Sequence, residues 1–353
     1  MPDAILTALA PLTSLRVGGP AARLLTAASE DELIETVRGA DRQGEPVFIL
    51  AGGSNVVVAD AGFPGTVIRV ALRGRSAVPA NGRVDLTVQA GEPWDAVVAD
   101  SVANGLSGLE ALSGIPGLTG ATPMQNVGAY GQEVAQTVSA VRAFDRAADE
   151  IVTLSPRQLG FGYRTSVLRG GSRYVVLSVS FLLAPDGRSA PLRYGELARA
   201  LGSEIGTRAP LADVREAVLR LRRGKGMVLD DDDPDSVSAG SFFTNPILQA
   251  SAFSELRQRT HQRLGADRTP PGFDEPDGRV KTSAAWLIEQ AGFQRGHGDD
   301  RVGLSGKHSL AIVNRGGASA ADVLAFARTI AQGVHEVFGV DLQPEPVLVG
   351  LKW

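Results

Sequence analysis

The apolar run Val47-Phe48-Ile49-Leu50 reads as a buried strand, and it leads straight into Ala51-Gly52-Gly53-Ser54-Asn55. A second apolar run, Val56-Val57-Val58, follows with no helix between. That order narrows the folds open to the chain. Two glycines after a strand leave bare amides in reach of a ligand, and phosphate is the common choice. A dinucleotide-binding βαβ unit would instead open a helix with G-x-G-x-x-G, so this is not that pattern. Upstream, Ser29-Glu30-Asp31-Glu32 reads as a capping box for a helix with Leu33, Val37 and Ala40 on one face, ending at Gly44. Helix and strand therefore alternate through the first part of the chain.

A second glycine-rich stretch runs from Gly114-Ile115-Pro116-Gly117 through Gly120-Ala121 to Gln125-Asn126-Val127-Gly128-Ala129-Tyr130-Gly131. Taken alone, the first stretch reads as a plain tight turn; about sixty residues apart, the pair could meet over one extended, phosphate-bearing ligand. Around them, Val84–Val88 alternates as a strand and Trp94–Asn104 reads as a helix closed by Gly105. The runs 138–144 and 175–183 suggest a mostly antiparallel sheet. Pro210–Arg223 reads as an amphipathic helix with Val214, Ala217, Val218 and Leu221 inward and Gly224 as its stop. The last part carries expected helices at 284–290 and 319–338 and a strand at 310–314. A domain boundary is expected near the run Asp230-Asp231-Asp232-Asp233-Pro234-Asp235. Consecutive carboxylates do not match the alternate-position ligands of a calcium loop, so the run is read as a solvated loop.

Composition removes several classes of chemistry. The 353 residues suggest two or three domains, and 43% hydrophobic with 21% charged residues is ordinary for a globular chain. With no cysteine, the sequence excludes disulfides, thiolate metal sites, iron–sulfur clusters and a cysteine nucleophile. A net charge of -4 points to no nucleic acid or membrane partner. The N-terminus, Met1 to Leu6, lacks the pattern of a secretory leader, and no apolar run reaches spanning length, so a cytoplasmic location is expected. His261 and His335 fall on helical patterns. Gly296-His297-Gly298-Asp299-Asp300 lacks metal-binding His-x-x-x-His geometry, and no metal is expected there. Gly303-Leu304-Ser305-Gly306-Lys307 is too short for a P-loop, with His308 where Ser or Thr would stand.

Three short stretches carry candidate chemistry. In Ser238-Ala239-Gly240-Ser241-Phe242-Phe243-Thr244-Asn245-Pro246, the phenylalanines can exclude water while Ser241 gives or takes a proton; the plain alternative is a buried strand with a turn at Asn245-Pro246. In Phe161-Gly162-Tyr163-Arg164, the guanidinium can hold a carboxylate or stabilise developing negative charge, and a sheet-edge salt bridge is the equal alternative. In Pro344-Glu345-Pro346, prolines on both sides hold an acid rigidly, either in a site or in a plain loop.

From about Thr13 to Gly350 the chain resembles the UDP-N-acetylenolpyruvoylglucosamine reductases, through Gly52-Gly53-Ser54-Asn55, Gly108-Leu109-Glu110, the 114–131 segment, Phe161 to Arg164, Gly240 to Pro246 and Pro344-Glu345, in that order. The resemblance implies an α+β chain: an FAD-binding domain of the vanillyl-alcohol-oxidase (PCMH) type and a C-terminal α+β substrate-binding domain. It draws them at 1–208, with subdomains of about 1–70 and 71–208, and at 209–353, the last residues packing back on the first subdomain. Arg193-Tyr194-Gly195-Glu196-Leu197 resembles the lid segment of the type I form, near 187–200.

The implied roles fall on particular residues. Ser241 matches the proton donor, and Arg164 and Glu345 the pair that stabilises charge. Tyr163, Tyr194, Lys225 and Asn245 match substrate-binding positions. Gly52, Gly53, Ser54, Asn55, Gly114, Ile115, Pro116, Gly120, Ala121, Gln125, Asn126, Gly128, Ala129 and Tyr130 match the contacts of non-covalent FAD. The implied reaction is NADPH-dependent reduction of the enolpyruvyl ether of UDP-N-acetylglucosamine to UDP-N-acetylmuramate, for peptidoglycan synthesis, by a monomer. Hydride passes from flavin N5 to C3 and a proton from Ser241 to C2. A serine hydroxyl is a weak acid but adequate facing a carbanion-like centre. The alternative is an FAD-dependent oxidase of the same fold acting on an alcohol or sugar, against which no catalytic or flavin-linking histidine stands out.

Overall fold

The protein is described from a computed structural model that covers residues 7–353; the N-terminal stretch Met1 to Leu6 lies outside the described residues. The chain divides into two compact units: Thr7, Ala21–Gly53 and Phe63–Val228 in the first, and Ala8–Pro20, Ser54–Gly62 and Leu229–Trp353 in the second.

In the first unit the helix Glu30–Arg42 starts with the expected reciprocal capping box between Ser29 and Glu32. Its buried face, Leu33, Ile34, Val37 and Ala40, covers a parallel sheet in which Phe63–Val70 lies between Pro20–Ala27 and Val47–Leu50. Beyond it stands an antiparallel five-stranded sheet in the order Glu150–Leu154, Val138–Asp145, Tyr174–Leu183, Arg83–Gln89, Arg75–Ala80. The helix Trp94–Ala103 packs on it, with the Trp94 ring 5.6 Å from Phe181 and the indole N–H donating to the Leu112 carbonyl at 3.2 Å. A buried indole needs such a partner, because an unmet donor there would cost about 1–3 kcal/mol.

The helix Leu211–Arg223 belongs to this first unit. Its apolar stripe of Val214, Ala217 and Val218 buries against Leu192, Leu197 and Ala198, and Arg215 grips Asp95 with two hydrogen bonds of 2.6 and 2.8 Å. The units therefore divide after Val228, beside the aspartate run, and not at 208/209 as the resemblance draws them.

The second unit is built on an antiparallel sheet of Ser238–Ser241, Ala311–Asn314 and Val302–Leu304, covered by the long helix Ala320–Phe338. Val323, Ala327, Ile330 and Val334 line the buried face of that helix. Its first turn is capped twice, by the Ser319–Asp322 box and by the Asp60 carboxylate, which accepts from the amides of Ala320 and Ala321 at 2.7 and 3.0 Å. Negative charge at this end also complements the helix dipole. A small sheet of Ile247–Leu248, Val280–Thr282 and Gly272–Asp274 accompanies the helices Ala250–Leu264 and Ala284–Gln290. The C-terminal strand Val347–Val349 runs parallel to Val56–Val58, both within the second unit.

Two secondary features differ from a plain reading. The aspartate run is held in place rather than merely solvated: Asp233 pairs with Lys307 at 2.7 Å, Asp235 accepts from the Gly306 amide at 2.8 Å, and Asp231 pairs with Arg16 at 2.8 Å. The His297 ring meets Phe293 edge-on at 5.3 Å and stacks on Phe326 at 6.1 Å. Among the described residues, no helix is long and apolar enough to cross a membrane.

Candidate active site

The two glycine-rich stretches meet in the first unit. A methyl carbon placed on Gly52 would stand 2.5 Å from the Cα of Gly117, so the backbones touch where only glycine fits. Several amides of the second stretch hold its own shape. Gly114 donates to the Asp95 carboxylate at 2.6 Å, Gly120 to the Ala90 carbonyl at 2.9 Å, and Ala121 to Leu118 at 3.0 Å. Burial would raise the Asp95 carboxyl, but the Arg215 guanidinium and the Gly114 amide outweigh it and leave its pKa below the ordinary value. A cradle this tight, between loops of small residues, suits a ligand that must be approached by main chain, as the phosphates and ring of a flavin nucleotide must.

Past the cradle, Gly128–Ala129 pairs with Gln132–Glu133 around the corner Tyr130-Gly131. Both corner residues have positive φ, 50° and 81°, the signature of a type I′ turn. Asparagine is the usual first residue there, and a tyrosine held at such an angle is strained, so the site that retains it gains something from the ring. Tyr194 packs edge-on against that ring at 5.6 Å, and the Lys225 ammonium lies 5.7 Å from its centroid. Burial, foremost, pushes the Tyr130 hydroxyl up to about 12, so it stays a donor at neutral pH. The structure thus groups Tyr130, expected at the cofactor, with Tyr194 and Lys225, expected at the substrate. Tyr194 is 45% exposed, as a residue that closes over a ligand would be.

A second hairpin carries Tyr163 and Arg164. Gly162 and Thr165 exchange both backbone bonds, at 3.0 and 3.3 Å, and Arg164 turns the corner with φ 53°. The Arg164 guanidinium lies 5.5 Å from the Tyr163 ring and donates to the Gly128 carbonyl at 3.2 Å. Asn126 ties the two hairpins together. Its amide donates to Glu133 at 2.8 Å and to the Gly162 carbonyl at 3.1 Å, while its oxygen accepts from the Ala135 amide at 3.1 Å. Only 2% exposed, it spends its polar atoms on holding the two hairpins together.

In the second unit, Ser238 pairs with Val313 and Ser241 with Ala311, so this strand carries one more residue than its partner between the two pairs. The extra residue makes a bulge, with Gly240 at φ 77°. Bulges of this kind re-aim the next side chain, and here that side chain is Ser241. Phe242 and Phe243 behind it are each 1% exposed and meet edge-on at 5.3 Å. The Glu345 amide donates to the Phe242 carbonyl at 2.9 Å, and Phe243 bridges Pro344. Ser241 and Glu345, far apart in the chain, therefore stand on adjacent segments. The Asn55 side-chain amide donates to the Glu345 carbonyl at 3.5 Å. The Asn245 oxygen accepts from the Ala284 amide at 3.0 Å and so helps to start the helix that follows.

Two residues that sequence reasoning passed over support these arrangements. Asp95 anchors Gly114, and Glu110, 2% exposed, accepts from the amides of Gly108 at 2.7 Å and Ala190 at 3.1 Å, fixing the base of the 187–200 segment. Glu110 lies in the Gly108-Leu109-Glu110 motif already singled out in the sequence, which was the available signal.

A strand–glycine-loop–strand unit followed by an antiparallel sheet defines the class. Residues 21–155 match the family model described as an FAD binding domain, and the cradle of touching glycine loops lies inside that span. The chain is a flavin-dependent oxidoreductase. Residues 233–349 match the C-terminal domain of UDP-N-acetylenolpyruvoylglucosamine reductase. A reductase of that name from Thermobifida fusca is 57% identical over 344 residues, covering 97% of both chains. One from Streptomyces coelicolor is 54% identical over 97% of this chain and 89% of its own. The crystal structure of UDP-N-acetylenolpyruvylglucosamine reductase from Thermus caldophilus superposes with a TM-score of 0.63 at 26% identity, over 97% of each chain. The chain belongs to the UDP-N-acetylenolpyruvoylglucosamine reductase family.

Proposed function

We propose that the chain reduces the enolpyruvyl ether of UDP-N-acetylglucosamine to UDP-N-acetylmuramate, with NADPH as the reductant. The observation that carries the reading is the bulge at Gly240, which aims Ser241 beside the segment holding Glu345. FAD, when bound, would supply the hydride for C3 of the enolpyruvyl group. Gly52, Gly53, Ser54 and Asn55 would hold it, with Gly114, Ile115, Pro116, Gly120, Ala121, Gln125, Asn126, Gly128, Ala129 and Tyr130. For Gly114, Gly120 and Asn126, whose polar groups serve the fold, the contribution is shape.

Negative charge then builds at C2 and on the attached carboxylate. The Arg164 guanidinium opposes that charge, and Glu345 shares the negative density as a protonated or strongly polarised donor. The Ser241 hydroxyl gives its proton to C2, with Phe242 and Phe243 keeping water from competing. Tyr163, Lys225 and Asn245 would hold the sugar nucleotide and Tyr194 would close over its diphosphate. The enzyme works as a cytoplasmic monomer on small molecules in peptidoglycan precursor synthesis.

Anaerobic absorbance at the flavin band tests this reading. NADPH should bleach the band, and the enolpyruvyl sugar nucleotide should restore it without oxygen. Recovery only on admitting oxygen would assign the chain to oxidase chemistry instead.

A further inference from the structure

The lid segment carries a charge that the roles above leave unused. Glu196 stands two residues after Tyr194, in the short helix Gly195–Ala200, and its carboxylate meets the Lys225 ammonium at 2.6 Å. The side chains are 31% and 32% exposed, so the pair is open to an arriving ligand. The same ammonium faces the Tyr130 ring, against which Tyr194 packs, so one aromatic ring collects the lid tyrosine, the lid acid's partner and the strained hairpin.

We propose that Glu196 masks Lys225 in the ligand-free enzyme and is displaced by the nucleotide diphosphate, so that Glu196 sets how tightly the uridine nucleotide is held. The inference rests on the assignment of Lys225 and Tyr194 to the sugar nucleotide. While a carboxylate sits within hydrogen-bond distance, the ammonium presents almost no net charge to a phosphate. A diphosphate must either take a shared proton of the ammonium or push the carboxylate aside, and it meets like-charge repulsion from Glu196 until that happens. Charge-assisted contacts of this length are geometrically well defined, yet pairs this exposed are worth little net in water, so the mask is exchangeable. Glu196 and Tyr194 share one turn of chain. Exchange at Lys225 therefore releases the lid tyrosine's own segment at the moment the phosphates arrive. Glu196 acts through Lys225 and is a positioning residue.

A purely structural ion pair and a mask differ in sign. Cutting a structural clasp loosens Lys225 and weakens binding, whereas removing a mask strengthens it. The test is calorimetric titration of UDP into the FAD-loaded enzyme and its variants. Glu196→Gln should lower the Kd for UDP about five- to tenfold, through loss of one competing ion pair and one repulsion. Glu196→Ala, which also removes any residual hydrogen bond, should do the same. Lys225→Ala should raise the Kd about tenfold, and in the double variant the Glu196→Gln effect should shrink to less than about twofold. An unchanged or raised Kd in both Glu196 variants, with Lys225→Ala still weakening binding, overturns the mask but leaves the substrate assignment standing. An unchanged Kd in Lys225→Ala overturns the assignment and the mask together.

Discussion

Gly52→Ala tests the cradle at its narrowest point. The new methyl carbon would lie 2.5 Å from the Gly117 Cα and 3.1 Å from its carbonyl carbon. Non-bonded carbons rest about 3.5–4.0 Å apart, so the two loops would have to separate by about 1 Å. Both obstacles are main chain, and no side-chain rotation relieves them. Overpacking of this kind costs about 1–3 kcal/mol. If the loops relax by opening, the same energy appears as FAD binding weakened about 5- to 150-fold. The assay is titration of the apoprotein with FAD, followed by flavin fluorescence, together with the ratio of flavin to protein absorbance after purification. Thermal unfolding of the apoprotein should shift by only a few degrees, since the strained contact lies at a loop rather than in the core. A variant that takes up FAD with an unchanged Kd would refute the reasoning, because the loops would then not need to touch.

Two further outcomes follow from packing and charge. Phe243→Ala removes a ring that is 1% exposed and meets Phe242 and Trp353 edge-on, at 5.3 and 5.9 Å. It should cost about 3–5 kcal/mol in chemical denaturation, and a loss below about 1 kcal/mol would contradict the packing described. Asp95 has a carboxyl pKa below its ordinary value, so its stabilising share is complete above the unfolded-state pKa of about 3.9 and is lost as pH falls through the lower folded value. Asp95→Asn should therefore destabilise the protein at pH 7, and the gap from the unsubstituted protein should close in acid below about pH 4; a gap that widens in acid would reverse the assignment.

Local features of the fold were legible where local chemistry decides them. The Ser29 capping box follows from hydrogen bonds made within a few residues, and the strand Val47–Leu50 showed as a short apolar run. The antiparallel sheet from 138 to 183 likewise showed in its strand-like apolar runs. The helix Ala250–Leu264 did not, because only Leu256 and Thr260 along it are buried and no apolar stripe marks it. The division after Val228 falls beside the aspartate run, where a boundary was expected, but the partner of the preceding helix was hidden. An amphipathic helix announces its buried face but not its partner, and the stripe on Leu211–Arg223 finds Leu192 and Leu197 of its own unit.

The site follows the same rule. Ser241, Arg164 and Glu345 stood out as residue types suited to proton transfer and charge stabilisation. That Glu345 lies beside Phe242 depends on a bridge between residues a hundred positions apart, which no local pattern encodes. The positive φ of Tyr130 was equally invisible, since tyrosine is not a residue expected at a type I′ corner. Its partnership with Tyr194 and Lys225 emerged only from the folded chain.

The central claim is that Ser241 delivers the proton, and Ser241→Ala followed by anaerobic stopped-flow absorbance at the flavin band tests it most directly. The account predicts bleaching by NADPH at nearly the unsubstituted rate. Recovery with the enolpyruvyl sugar nucleotide should be slower by about 10²–10⁴-fold, the range for loss of a general acid. Recovery at an undiminished rate, or equal slowing of both steps, would contradict it.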